Sequence, residues 1–297
     1  MFFGGNFYRK IRFGTILVML LIMSVLLLEE KTFAAENTSS SVNSALNEKI
    51  VAISNTDSTR YSLFASYPKE NRPPYIYQSE RMRSASMIKV FLLAHTMEKV
   101  RDGQLSLDMK ITLKSSDKVG GAGILSGYAT GAVLSLDTIL RLMITESDNT
   151  ATNIIIDLLG KDNINKYIQQ NGYSDTILNR KMMDFAAVNA GLENYTSVTD
   201  LGSIFQKIYN HRCVGFKEDE IMLSYLKGQT DKECFPAALP GAVLAHKTGE
   251  LGGLYDDGGI IYMNGRDIIL VIMTEHYSSR YRAIEIMKAM AKTVAYN

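Results

Sequence analysis

Ser86-Met87-Ile88-Lys89-Val90-Phe91-Leu92-Leu93-Ala94 is the stretch on which the reading of this chain turns. A serine and a lysine three residues apart open a run whose later members are all apolar, and a helix apolar on every side belongs inside a protein. The S-x-x-K pattern also occurs at Ser66/Lys69, Ser115/Lys118 and Ser224/Lys227, but those copies lie near turns or on mixed surfaces. A serine hydroxyl attacks a carbonyl at neutral pH only when a base takes its proton. Lys89 lies on the helix face of Ser86, and burial or a neighbouring cation makes its amine transiently neutral. The helix N-terminus adds backbone N–H groups, that of Ser86 among them, that face a developing oxyanion.

Two further segments carry matching chemistry. Ser147-Asp148-Asn149 lies between two expected helices, where a hydroxyl can relay a proton to a leaving nitrogen and the Asn149 amide can hold a carbonyl or the Lys89 ammonium. Asp148 before Asn149-Thr150 is equally a good helix cap. Lys247-Thr248-Gly249 ends an expected strand. Its cation and hydroxyl suit an anionic group, Lys247 is a cation able to depress Lys89, and Gly249 lets the backbone approach a ligand.

Strand patterns stand at the two ends of the chain. Tyr61–Tyr67 alternates, and Pro73-Pro74 precedes a short strand near Tyr75–Gln78. Gly241–Thr248, Gly259–Met263 and Asp267–Thr274 follow much later, the last two joined by Asn264-Gly265, a hairpin signal. A first helix is expected over Ser44–Ser54 and a closing one over Arg280–Ala295. The fold class is therefore α/β of the α+β type: a five-stranded antiparallel sheet, flanked by helices, assembled from residues 44–80 and 228–297. Residues 86–226 form a mostly helical part, and the active site lies between the two. From Asn171 to Ser197 periodicity is lost for about 25 residues, long for a loop without a task. Within it Asp184 is expected to pair with Arg180 or Lys181.

The N-terminus reads differently. Arg9, Lys10 and Arg12 precede an apolar stretch from Ile16 to Leu28, broken only by Ser24, and Ala34 and Ala35 follow. This is the order of a secretory signal over residues 1–35. Its 12 apolar residues are short for a bilayer span of about 20, and a retained signal anchor is the alternative. In either case the rest of the chain is exported: secreted, periplasmic or anchored on the outer face of a bacterial membrane. Residues 36–43 read as a polar linker. Removing residues 1–35 removes four basic and two acidic side chains, so the net charge moves from +1 to −1. No basic stripe suggests nucleic acid. The four histidines and two cysteines lack metal-ligand spacing, so neither metal nor cofactor is expected. Cys213 and Cys234 stand as one disulfide or two free thiols. A monomer is expected.

Taken together, Ser86-x-x-Lys89, Ser147-Asp148-Asn149 and Lys247-Thr248-Gly249 resemble the signature of class A β-lactamases and penicillin-binding proteins. Flanking residues agree: Gly121-Ala122-Gly123-Ile124-Leu125, Leu142-Met143-Ile144 and Asn149-Thr150-Ala151-Thr152-Asn153 look like class A β-lactamases. The likeness runs from about Ser44 to the C-terminus. It implies Ser86 as the acylated nucleophile, Lys89 as base and Ser147 as proton relay. It further implies Asn149, Lys247, Thr248 and Gly249 as substrate contacts, and the backbone N–H groups of Ser86 and Glu250 as oxyanion hole.

Two departures stand out. Hydrolytic class A enzymes carry a glutamate four residues before an asparagine to activate the deacylating water, and here Asp175 precedes Asn179 by that spacing. Asp175 is either a water base one methylene short or an ordinary turn residue. Where many relatives place an arginine on the strand after Lys247-Thr248-Gly249, Gly258-Gly259 follows Asp256-Asp257, leaving a substrate carboxylate to Lys247, Thr248 and either Arg280 or Arg282. The expectation is a hydrolase that opens β-lactams through a Ser86 acyl-enzyme. The alternatives are a D-alanyl-D-alanine peptidase acting on peptidoglycan stem peptides, or a sensor that stays acylated.

Overall fold

A computed structural model describes residues 43–70 and 72–297. The expected leader and, residue 43 excepted, the expected linker lie outside them. The chain divides into Met1–Leu46 and Asn47–Asn297, and the second unit holds every element discussed below except the start of the first helix. Helix α1 (residues 43–54) is followed by strands β1 (Arg60–Ser66), β2 (Tyr75–Tyr77) and β3 (Met82–Arg83). A 3-10 turn, Ala85–Ile88, then runs directly into α2 (Lys89–Arg101). Strands β4 (Lys110–Thr112) and β5 (Val133–Ser135) precede α3 (Leu136–Thr145), α4 (Asn149–Leu159) and α5 (Lys161–Gln170). After α6 (Phe185–Asn189) and β6 (Tyr195–Thr196) come α7 (Val198–Tyr209), α8 (Phe216–Lys227) and α9 (Phe235–Ala238). The chain closes with β7 (Val243–Leu251), β8 (Leu254–Met263), β9 (Arg266–Glu275) and α10 (Arg280–Ala295).

Both ends of the polypeptide build one antiparallel sheet of five strands in the order β2-β1-β9-β8-β7. The β8–β9 hairpin turns at Asn264-Gly265, with Met263 opposite Arg266 and Gly265 at φ +81°. Helix α7 lies close on β1 because residue 202 is glycine: a Cβ there would stand 2.4 Å from the Phe64 ring. In the helical part, every residue of α2 from Lys89 to Met97 is buried, as an all-round apolar helix must be. Ser135 caps α3 by accepting from the Thr138 N–H, and Asp148 caps α4 by accepting from that of Ala151. Strand β7, at the sheet edge, packs against the 3-10 turn that carries Ser86. The site sits on that seam.

Among the described residues, no helix is long and apolar enough to cross a membrane. Cys213 and Cys234 are free thiols.

Candidate active site

Ser86 occupies the 3-10 turn, one residue after Ala85 at φ +40°. Gly249 on β7 makes the close approach possible, since a Cβ there would fall 3.2 Å from Ala85 Cβ and 3.3 Å from the Ser86 backbone nitrogen. Gly258 on the neighbouring strand leaves room for Met87, whose Cε would stand 3.0 Å from an added Cβ. The glycines thus let the nucleophile turn lie flat on the sheet edge.

Two buried amines share one hydroxyl, that of Ser147. Lys89 Nζ donates to Ser147 Oγ at 3.1 Å, to the Ser147 carbonyl at 2.6 Å and to Asn149 Oδ1 at 3.0 Å. Lys247 Nζ reaches the same Ser147 Oγ at 3.0 Å and the Thr248 carbonyl at 2.6 Å. Both lysines are fully buried. Burial, and then the charge of Lys247, push Lys89 well below the ordinary lysine range, while Asp148 opposes them. Burial also lowers Lys247 to about 7, against the opposing fields of Asp231 and Asp257. Two ammonium groups on one hydroxyl repel, so at least one amine is readily neutral.

The turn that holds Ser147 is strained: its φ is +52°. Asp148 is the tie beneath it. One carboxylate oxygen accepts from Ala151 N–H at 2.8 Å, the other from Ile124 and Leu125 N–H at 2.7 and 2.8 Å. The expected helix cap is at the same time a loop anchor: Asp148 holds the 120–125 loop against α4. Gly123 allows this, since a Cβ there would stand 2.3 Å from the Asp148 carboxyl.

A cleft of about 410 Å³ opens in front of Ser86. Ser86, Ala85, Asn149, Gly121, Ala122 and Glu250 line one part, and Arg180, Met182, Met183, Phe185, Val188, Glu193 and Asn194 another. The second group belongs to the aperiodic segment, which closes into a loop pinned at its ends. Asn194 Oδ1 accepts from the N–H groups of Asn179 and Arg180, and its amide donates back to the Arg180 carbonyl at 3.0 Å. Arg180 pairs with Glu193. Asp184 does not hold the loop through Arg180 or Lys181 as expected. It caps α6 by accepting from Ala187 N–H, and Lys181 pairs with Asp157.

Asp175 is not among the residues lining the cleft. It sits in a turn, its N–H donating to Asp200 Oδ2 at 2.9 Å. Met182 stands in the cleft wall instead, clasped by Asn153: the Met182 N–H donates to Asn153 Oδ1 at 2.8 Å, and Asn153 Nδ2 donates to the Met182 carbonyl at 3.0 Å. Asn153 is one turn beyond Asn149 on α4, a spacing visible in the sequence; which residue it would grip is not. Arg280 Nε and Nη2 donate to Glu250 at 2.6 and 2.9 Å, and Nη1 pairs with Glu233 at 2.7 Å. Asp256 and Asp257 are fully buried away from the cleft: Asp257 accepts from Phe235 N–H and joins His246 at 2.8 Å, and Asp256 accepts from Thr274 N–H. Among the described residues, no cluster of His, Cys, Asp and Glu has the makings of a metal site.

The chain is 27% identical over 199 residues to the β-lactamase SME-1 of Serratia marcescens, covering 65% of this chain and 67% of that one. Its fold is similar to a β-lactamase from Sphaerobacter thermophilus, with a TM-score of 0.77 at 25% identity over 84% of this chain and 95% of the other. It is equally similar to a PBP-A variant solved as an acyl-enzyme with penicillin G: TM-score 0.77, 25% identity, 84% and 94% covered. A family model described as the beta-lactamase enzyme family matches residues 45–297. The chain belongs to the beta-lactamase enzyme family.

Proposed function

We propose that this protein is an exported serine hydrolase acylated by β-lactams at Ser86. The observation that carries the proposal is Ser147 Oγ held between two buried amines, 3.1 Å from Lys89 and 3.0 Å from Lys247. In this reading the Ser86 hydroxyl attacks the lactam carbonyl and gives its proton to neutral Lys89. The carbon–nitrogen bond then breaks, and Lys89 returns the proton through Ser147 to the leaving nitrogen. The backbone N–H groups of Ser86 and Glu250 receive the oxyanion, where fixed donors in a site shielded from water are worth several kcal/mol. Asn149 orients the substrate amide. Lys247 and Thr248 take its anionic group, since the guanidinium of Arg280 is already bound to two carboxylates. Export rests on the basic, apolar and small-residue order of the first 35 residues.

Mixing the purified protein with a chromogenic β-lactam and, separately, with a D-alanyl-D-alanine peptide tests this reading. Lactam opening or a covalent adduct on Ser86 supports it, and peptide cleavage alone would assign the peptidase instead. Ser86→Ala is expected to abolish labelling, measured by intact-protein mass. An adduct that persists in that variant would refute the assignment.

A further inference from the structure

We propose that the cleft loop withholds a water-activating base, so that the Ser86 acyl-enzyme is long-lived and the chain acts as a slow-release covalent acceptor of β-lactams. This rests on the acylation proposed above. Releasing the acyl group requires water to attack the ester carbonyl carbon, a base to take the water proton, and the bond to Ser86 Oγ to break as that oxygen regains a proton. Among the described residues, two carboxylates, Glu193 and Glu250, line the cleft, and both are engaged with guanidinium groups. Glu193 holds Arg180 and accepts from its neighbour Asn194 N–H, and Glu250 is bidentate with Arg280. Lys89 is buried and is not among the residues lining the cleft.

The loop offers apolar atoms instead. Met182, Met183, Phe185 and Val188 line the cleft, with Phe185 64% exposed at its mouth. Their placement is enforced rather than incidental. Asn153 grips both backbone groups of Met182, and Met183 is held at φ +61°, a left-handed conformation that side-chain-bearing residues rarely adopt. Met183 reaches across the cleft to Gly121, where an added Cβ would stand 2.9 Å from its sulfur. A thioether neither accepts a proton from water nor orders one well.

The test follows the mass of the acylated protein after removal of excess penicillin, in the wild type and in Met182→Glu and Met182→Gln. The adduct is expected to outlast minutes in the wild type. Met182→Glu is expected to shorten its life at least tenfold, a modest share of the 10²- to 10⁴-fold that general bases supply, and Met182→Gln, similar in size without a base, to leave it unchanged. Wild-type adduct decaying within seconds would overturn the inference while leaving acylation intact. Equal lifetimes in the Glu and wild-type proteins, or equal acceleration by Glu and Gln, would overturn it too. Failure to form any adduct would instead remove the acylation on which it rests.

Discussion

Replacing Lys247 by methionine isolates the electrostatic part of the proposed nucleophile activation. Lys89 and Lys247 both touch Ser147 Oγ, at 3.1 and 3.0 Å, so their nitrogens lie no more than about 6 Å apart. At an effective dielectric of about 20, two unit charges at that distance repel by about 2.8 kcal/mol. Burial is the first cause of the depressed Lys89 value and the Lys247 charge the second. Removing that charge raises the Lys89 pKa and shrinks its neutral fraction at any given lower pH. Where Lys247 would be fully protonated, below about 7, adduct formation in Lys247→Met is expected to fall by up to about 100-fold. Near neutrality, where Lys247 is only partly protonated, the loss is smaller, and raising the pH recovers the rate as Lys89 gives up its proton. The assay is the stopped-flow rate of acylation at saturating chromogenic β-lactam, followed from mildly acidic to mildly alkaline pH. Saturation matters, because losing the cation also weakens substrate binding, which appears in the half-saturating concentration. A pH profile with its acidic limb unmoved would refute the coupling and reduce Lys247 to a substrate contact.

Two further outcomes probe the scaffold. Asp148→Ala leaves the N–H groups of Ile124, Leu125 and Ala151 without their acceptor. At about 1–3 kcal/mol for each buried unpaired group, a loss of at least 3 kcal/mol is expected by denaturant unfolding, and a loss under 1 kcal/mol would show that the 120–125 loop is not tied there. Arg280→Ala is expected to change the half-saturating concentration for carboxylate-bearing β-lactams by less than about threefold, since that guanidinium is occupied by Glu250 and Glu233; a rise above tenfold would place Arg280 on the substrate.

What the sequence disclosed was whatever depends on near neighbours. The apolar run after Ser86 foretold a buried α2, Asn264-Gly265 the hairpin, and alternating segments at both ends the five-stranded sheet. The aperiodic segment was recognisable as a loop with a task, but its register was not. Spacing to Asn179 left Asp175 as either a water base or a turn residue, whereas Asn153, 29 residues before Met182, holds the residue that stands in the cleft wall. That grip, the Asn194 clasp across 14 residues and the Arg180–Glu193 pair are contacts made by a segment without periodic pattern. Counting residues therefore cannot find them.

Backbone strain shows why these details belong to one design. Among the described residues, six other than glycine have positive φ, and Ala85, Ser147 and Met183 are three of them. One precedes the nucleophile, one carries the shared hydroxyl, and one presents its side chain in the cleft wall. Such conformations persist only where surrounding bonds over-determine them. Here the Gly249 approach, the Asp148 tie and the Asn153 clasp surround the three in turn. A fold that keeps strain at Met183 as at Ala85 and Ser147 treats the methionine wall as part of the site. Giving residue 182 a carboxylate, as in Met182→Glu, should therefore alter the fate of the acyl group before it alters the stability of the protein.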